Sequence, residues 1–190
     1  MTFDAAEQAA RLELARPEHT LRGQFFQALV ASTQAAIGAE AAQRQLAPRR
    51  WTFFLNYPLA DFLRLLARAT DALEGPAGSR QAALRRLGEG CTDNFFASPV
   101  VKTALLLVEK DPSKFLATVP RAYRTAMSHG TRTFEKLSPA RARLTFREEL
   151  LPMNLIHGSI AGGFKYLGTP AVQVESQPSG LTEFVIECEW

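Results

Sequence analysis

His157 sits in a Gly-rich stretch, residues 150–168 (LLPMNLIHGSIAGGFKYLG), where an imidazole could ligate a metal or haem, act as a general base, or pack. A metal site needs converging donors, and no His or Cys stands near His157 at ligand spacing. His19 and His129 fall in loop-like positions. Packing is the expected role of His157, with a polar anchor in a pocket as the alternative. Gly158, Gly162 and Gly163 lie inside the same helical stretch, without GxxxxGKS/T or a GxGxxG after a strand, so a phosphate loop is not expected. Gly158 and Gly162 share a helix face and let another backbone approach, from within the chain or from a second subunit. Cys91 falls on an apolar stripe with Leu84, Leu87 and Phe95, where a thiol acts as a small hydrophobe and no cation on its own face activates it. Cys188 shares a face with Phe184 and Ile186 and reads as core. Glu148 and Glu149 stand at a strand-to-helix junction, where acidic groups favour a helix N-terminus. With no GxSxG elbow and no nucleophile paired with a base, no catalytic constellation emerges and the chain is expected not to be an enzyme.

Helices must carry most of these groups up to about residue 130. Leu21, Phe25, Phe26, Leu29 and Val30 recur at helical spacing from Thr20 to Gly38, and an Ala-rich helix over 39–46 closes at Pro48. The run WTFFLNYP (51–58) is too short for a helix and breaks at Asn56 and Pro58. After it, Phe62, Leu65, Leu66, Ala69 and Leu73 form one face against Asp61, Arg64, Arg68 and Asp71, with Gly75-Pro76 as the predicted end. A helix follows over 80–96. Ser98-Pro99 opens VVKTALLLVEK, predicted as a buried helix, and Asp111-Pro112 opens one through Met127 that Pro120 is predicted to kink or split before Gly130. The first 18 residues read as a tail or an extra helix stopped by Pro17, and 19–190 as one domain.

From residue 131 the period changes to two. Strands are predicted over 131–137, 141–148, 169–175 and 181–190, with the Gly-rich helix between the two pairs. Arg141, Arg143, Thr145 and Arg147 share one face of the second strand, opposite Ala142, Leu144 and Phe146. In the last strand Thr182, Phe184, Ile186, Cys188 and Trp190 oppose Glu183, Val185, Glu187 and Glu189. If these strands are neighbours, the Arg row meets the Glu row across an antiparallel sheet, rather than forming a phosphate-binding stripe. The expected class is α+β: an N-terminal helical layer packed on a four-stranded, mainly antiparallel C-terminal sheet, ending in hairpin–helix–hairpin.

Composition narrows the function classes. The 190 residues suffice for one core, and 22 basic residues interspersed with 19 acidic ones argue against a nucleic-acid partner. Two cysteines without metal-site spacing fit a reduced, cytoplasmic setting. The opening MTFDAAEQAARLELARPEH lacks the apolar core of a secretory signal, and no window approaches the roughly 20 apolar residues of a membrane span.

The segment FFLNYPLADFLRLLARATDAL (53–73), with HTLRGQFFQAL (19–29) before it and the hairpin–helix–hairpin end, resembles an uncharacterised family of about this length, expanded as paralogues in myxobacteria, over nearly all of the chain from residue 19. More distantly, the order of helices, two strands, helix, two strands is similar to the superfamily of the haem–nitric-oxide sensors, the four-vinyl-reductase ligand-binding domains and the Bet-type TRAPP subunits. The likeness is strongest in LIHGSIAGGFKYLG and the VQVE and EFVIECEW strands. It implies either a cavity for a small, largely apolar ligand between helices and sheet, or assembly through helices. The haem sensors carry a proximal His and a Tyr-x-Ser-x-Arg triplet, whereas the tyrosines here stand in YPLAD, YRTAM and YLGTP, so no cofactor is expected. The preferred reading is a non-enzymatic ligand-binding or sensory module whose pocket is drawn from Phe53, Phe54, Tyr57, Phe62, Cys91, Phe95 and Phe96, with His157 as polar anchor. The alternative is a homodimeric interaction adaptor.

Overall fold

The computed structural model describes residues 3–47, 49–97, 111–169 and 172–190. Along the chain run α1 (Ala5–Leu14), β1 (Thr20–Arg22), α2 (Gly23–Ile37), α3 (Ala39–Leu46), β2 (Asn56–Pro58), α4 (Leu59–Ala77) and α5 (Arg80–Ala97). After them come α6 (Pro112–Ala126), β3 (Thr131–Ser138), β4 (Arg141–Arg147), α7 (Met153–Leu167), β5 (Gln173–Pro178) and β6 (Phe184–Glu189). The VVKTALLLVEK helix expected from the sequence lies outside the described residues.

Local chemistry sets the helix ends. The Asp4 carboxylate accepts from the Glu7 N–H, and that of Asp111 accepts from Ser113 and Lys114, starting α1 and α6. Pro112 occupies the first turn of α6, where its missing N–H leaves no bond unmade. Two expected breaks do not occur. α4 runs through Gly75-Pro76 and ends at Gly78, which takes the left-handed conformation (φ +82°). α6 continues through Pro120 as one assigned helix.

The helix read from Thr20 starts three residues later, because Thr20–Arg22 pairs antiparallel with Asn56–Pro58 as a small separate sheet. The N-terminal segment is no loose tail. Arg11 is fully buried, ion-paired to Glu7, and donates to the backbone carbonyls of Glu149, Leu150 and Leu181.

The main sheet is antiparallel throughout, in the order β3-β4-β6-β5. Register places Arg143 opposite Glu187 and Arg141 opposite Glu189, as the matched rows require. Arg143 donates to both sides of this arrangement, to Glu187 at 2.7 Å and to Glu135 at 3.4 Å, and Arg141 also bonds Glu187. These bonds, that from Arg143 first, hold the Glu187 carboxyl below its ordinary range. Arg141 and Arg143 of the row are therefore neutralised on the outer face. On the inner face Ala142, Leu144, Phe146, Phe184, Ile186 and Cys188 are buried, with Phe146 and Phe184 stacked at 4.6 Å as cross-strand partners.

α7 lies between this face and the helical layer, and its glycines explain how. A Cβ on Gly158 would stand 2.0 Å from the Arg85 carbonyl oxygen of α5, and one on Gly88 would stand 2.1 Å from that of Leu155 in α7. Gly162 is also tight, 3.1 Å from Glu89 backbone atoms. The close approach expected from Gly158 and Gly162 is thus internal to the chain. Gly163 has a different role, admitting the ring of Phe115 from α6, which a Cβ would meet at 2.1 Å.

Candidate functional site

A cavity of about 310 Å³ opens among α2, α4, α5, α6 and α7, at the lower end of the usual range for ligand pockets. Phe25 and Ala28 come from α2 and Phe62 from α4. Cys91, Thr92, Phe95 and Phe96 come from α5, and α6 supplies Phe115, Thr118, Val119, Ala122, Tyr123 and Ala126. Leu155, Ile156, Ser159 and Ile160 of α7 close the far side, and Gln24 and Leu151 complete the described lining. Helical periodicity produces this wall. Phe115, Val119 and Ala126 recur on the buried stripe of α6, facing Leu155, Ile156 and Ile160 on that of α7.

Of the eight residues expected around a pocket, the fold gathers Phe62, Cys91, Phe95 and Phe96. The other four lie elsewhere. Phe53 and Phe54 meet edge-on at 4.7 Å in the loop before β2, with Phe54 64% exposed. The Gly23 and Gln24 N–H groups, which donate to the Leu55 and Phe53 carbonyls, pin that loop to the start of α2, outside the helical layer. Tyr57 pairs with Leu21 in the small sheet, and its hydroxyl accepts from the Thr52 N–H at 2.8 Å. His157 turns to the sheet side of α7, its Nδ1 3.1 Å from the Ser176 hydroxyl of β5.

Cys91 keeps some accessible area because it lines the cavity. Burial nevertheless pushes its thiol up to about 12, so it is a neutral hydrophobe and not a thiolate. Three lining hydroxyls each direct a hydrogen to backbone carbonyls: Thr92 to those of Ser159 and Gly88, Ser159 to those of Leu155 and Gly88, Thr118 to that of Phe115. No charged side chain is among the described lining.

Beside the cavity lies a buried polar cluster without a sequence signature. Glu149 is fully buried and accepts from Arg132 Nε at 3.0 Å and Nη2 at 2.5 Å, and from the Leu151 N–H at 2.9 Å. It is therefore an ion-pair partner, and not the helix-start carboxylate expected at this junction. Arg132 also donates to the His129 and Gly130 carbonyls and lies 5.1 Å over the Tyr123 ring. His129 packs against His19 at 5.2 Å. Neither of its ring nitrogens has a hydrogen-bond partner among the described residues, Glu149 standing off at 3.8 Å.

Both shifted histidines are neutral in the fold. Burial, then Arg132 and His19, lowers His129 to about 3, while burial and Arg85 lower His157 to about 4, from an ordinary 6.5. The unfolded chain takes up these protons near pH 6.5 and the native chain does not, so their contribution is complete above that pH. It is lost as pH falls toward about 4 for His157 and about 3 for His129. The urea midpoint is expected to drop between pH 7 and 5.5, before most carboxylates titrate. His129→Phe should flatten that slope; an unchanged slope would show that the buried imidazole is not its source.

The family described as "Protein of unknown function (DUF2378)" matches residues 14–190. The chain belongs to this family. No curated protein matches it. Among solved structures, the chain is similar to the Fe(II) unliganded H-NOX protein from K. algicida, at 16% identity and TM-score 0.67, over 89% of this chain and 96% of that one. It is also similar to an H-NOX protein from S. oneidensis in the Fe(II)NO ligation state, at 12% identity and TM-score 0.69, over 89% and 98%. At such identities the likeness establishes the fold: this DUF2378 member has the α+β architecture of H-NOX proteins.

Haem can be tested against the residues of this cavity. Protein axial ligands to haem iron are His, Cys thiolate, Met or Tyr. All three histidines are placed elsewhere: His19 and His129 pack on each other, and His157 faces Ser176. Residues 98–110, outside the described set, read SPVVKTALLLVEK and contain no His, Cys, Met or Tyr. Cys91 and Tyr123, the two lining residues of ligand type, are both pushed toward their neutral forms, and no cation in the described lining would meet the propionates. The site does not fit haem. Among the described residues, no group of three His, Cys, Asp or Glu could hold a metal ion, and no helix is long and apolar enough to cross a membrane.

Proposed function

We propose that this protein is a non-enzymatic sensory or regulatory module, placed in the cytoplasm, that binds a small and largely apolar molecule in the cavity between α5, α6 and α7. The observation that carries this reading is the cavity wall, formed by aromatic and aliphatic side chains from five helices with no charge in its described lining. Support comes from the H-NOX architecture, since the solved structures it resembles include an Fe(II)NO-ligated form. Fold alone does not assign a ligand. The broader likeness to four-vinyl-reductase domains and Bet-type subunits, read from element order, implies a cavity between helices and sheet, whereas the described lining here comes from helices and the turn before α7.

Native mass spectrometry of the purified protein tests the proposal. The expected spectrum contains a retained small molecule whose mass is not that of an iron porphyrin. Ala28→Leu, which places a larger side chain in the wall, is expected to abolish retention and hold or raise Tm by a few degrees. Equal retention in both proteins would put any bound molecule outside this cavity.

A homodimeric adaptor is the second reading, favoured by the exposed Phe54 and Leu55 (64% and 56%) beside Arg49 and Arg50. Light scattering of Phe54→Asp against the parent separates the two, since only an adaptor using this loop would dissociate.

A further inference from the structure

We infer that Tyr123 is the polar anchor of the cavity and that the ligand is a neutral, mainly apolar compound with one oxygen acceptor, such as a ketone or ester. This rests on the cavity reading above and specifies its ligand class. The inference comes from counting donors. The lining hydroxyls of Thr92, Thr118 and Ser159 all donate to helix carbonyls. Tyr123 differs from them. Its hydroxyl makes no hydrogen bond with any described residue, and the residue lines the cavity.

The Tyr123 ring is held from three sides. Phe25 and Phe146 meet it edge-on, each at 6.4 Å, and the Arg132 guanidinium covers it at 5.1 Å. Such a ring cannot turn away without disturbing α2 and β4, so its O–H is a pre-positioned donor. A phenol donor suits a carbonyl oxygen. A carboxylate would lose its hydration against an apolar wall without meeting a cation, because Arg132 is already committed to Glu149. The remaining donors in the described lining are the Gln24 side chain at the start of α2 and the weak S–H of Cys91, neither of which has a comparable aromatic clamp.

Three probes of one chain length test this on the full chain: 2-nonanone, nonane and nonanoate, each displacing the neutral fluorophore N-phenyl-1-naphthylamine at pH 7.5. After each probe's water-to-octanol transfer free energy is subtracted, the ketone is expected to show an advantage of about tenfold over the alkane, the scale of one hydrogen bond at about 1.4 kcal/mol. Nonanoate is expected to bind least. Tyr123→Phe should erase the ketone's advantage and leave nonane unchanged, which also shows that the variant is folded. Retention of the advantage in Tyr123→Phe, or binding of nonanoate as tight as that of the ketone, would overturn the anchor while leaving the cavity reading intact. No displacement by any probe would overturn both. Should Tyr123→Phe lose nonane as well, Gln24→Leu becomes the deciding variant, and loss of the ketone's advantage there would overturn Tyr123 as its source.

Discussion

Gly158→Ala is expected to destabilise the protein by about 3 kcal/mol, the upper range for forcing extra volume into a packed interior. The new methyl would stand 2.0 Å from the Arg85 carbonyl oxygen and 2.8 Å from the Arg85 Cα. These are backbone atoms, and no rotamer change moves them aside. Relief requires α5 and α7 to separate, which loosens the packing of Leu84, Leu87, Leu155 and Ile160 together. Gly180→Ala is the matched control, because nothing lies within 4 Å of its Cβ position, and it should stay within about 0.5 kcal/mol of the parent. Urea unfolding followed by circular dichroism measures both. Equal midpoints for the two variants would refute the close crossing.

Glu149→Ala is expected to cost about 3–5 kcal/mol, because it leaves the Arg132 guanidinium buried without its counter-charge. It also removes the acceptor for the Leu151 N–H, at the point where the chain turns into α7. Replacing both partners, Arg132→Met with Glu149→Leu, should recover much of that loss, since the penalty lies in the unpaired charge and not in the absence of the pair. A double variant as unstable as Glu149→Ala alone would locate the effect in the backbone contacts of residue 149.

The sheet was the most legible part of the sequence. Period two over Arg141–Arg147 and Phe184–Glu189 separates Leu144 and Ile186 from Arg143 and Glu187, and pairing opposite charges leads to the observed neighbours. Gly158 and Gly162 were legible as a packing face for a related reason, since a helix tolerates such a loss only where another backbone needs the space. The small sheet was not. Three-residue strands such as Thr20–Arg22 carry no period, and Leu21 is equally at home as the first apolar residue of a helix.

The candidate site was half legible. Cys91, Phe95 and Phe96 share a helix whose buried face follows from spacing, whereas Phe53 and Phe54 are apolar residues whose direction is set by a tight loop. Phe115 and Tyr123 reach the cavity from α6 and Ile160 from α7, helices well separated in sequence from α5 and from each other, so no local pattern joins them to Cys91. Glu149 and Arg132 are 17 residues apart and resemble surface charges until the chain between them folds back as β3 and β4.

With no side chain between the backbones at Gly88 and Gly158, α5 and α7 form a single stiff spine along one side of the cavity. The opposite side is α6, which rests on β3 and β4 far more than on α7. A molecule that wedges the space apart would therefore find the spine unyielding and lever α6 instead. That motion would travel directly into β3, one of the two edge strands of the sheet, which pairs with β4 alone. The crossing of two glycines thus sets a tightly joined frame on one side of the cavity, and on the other a helix seated at the edge of the sheet.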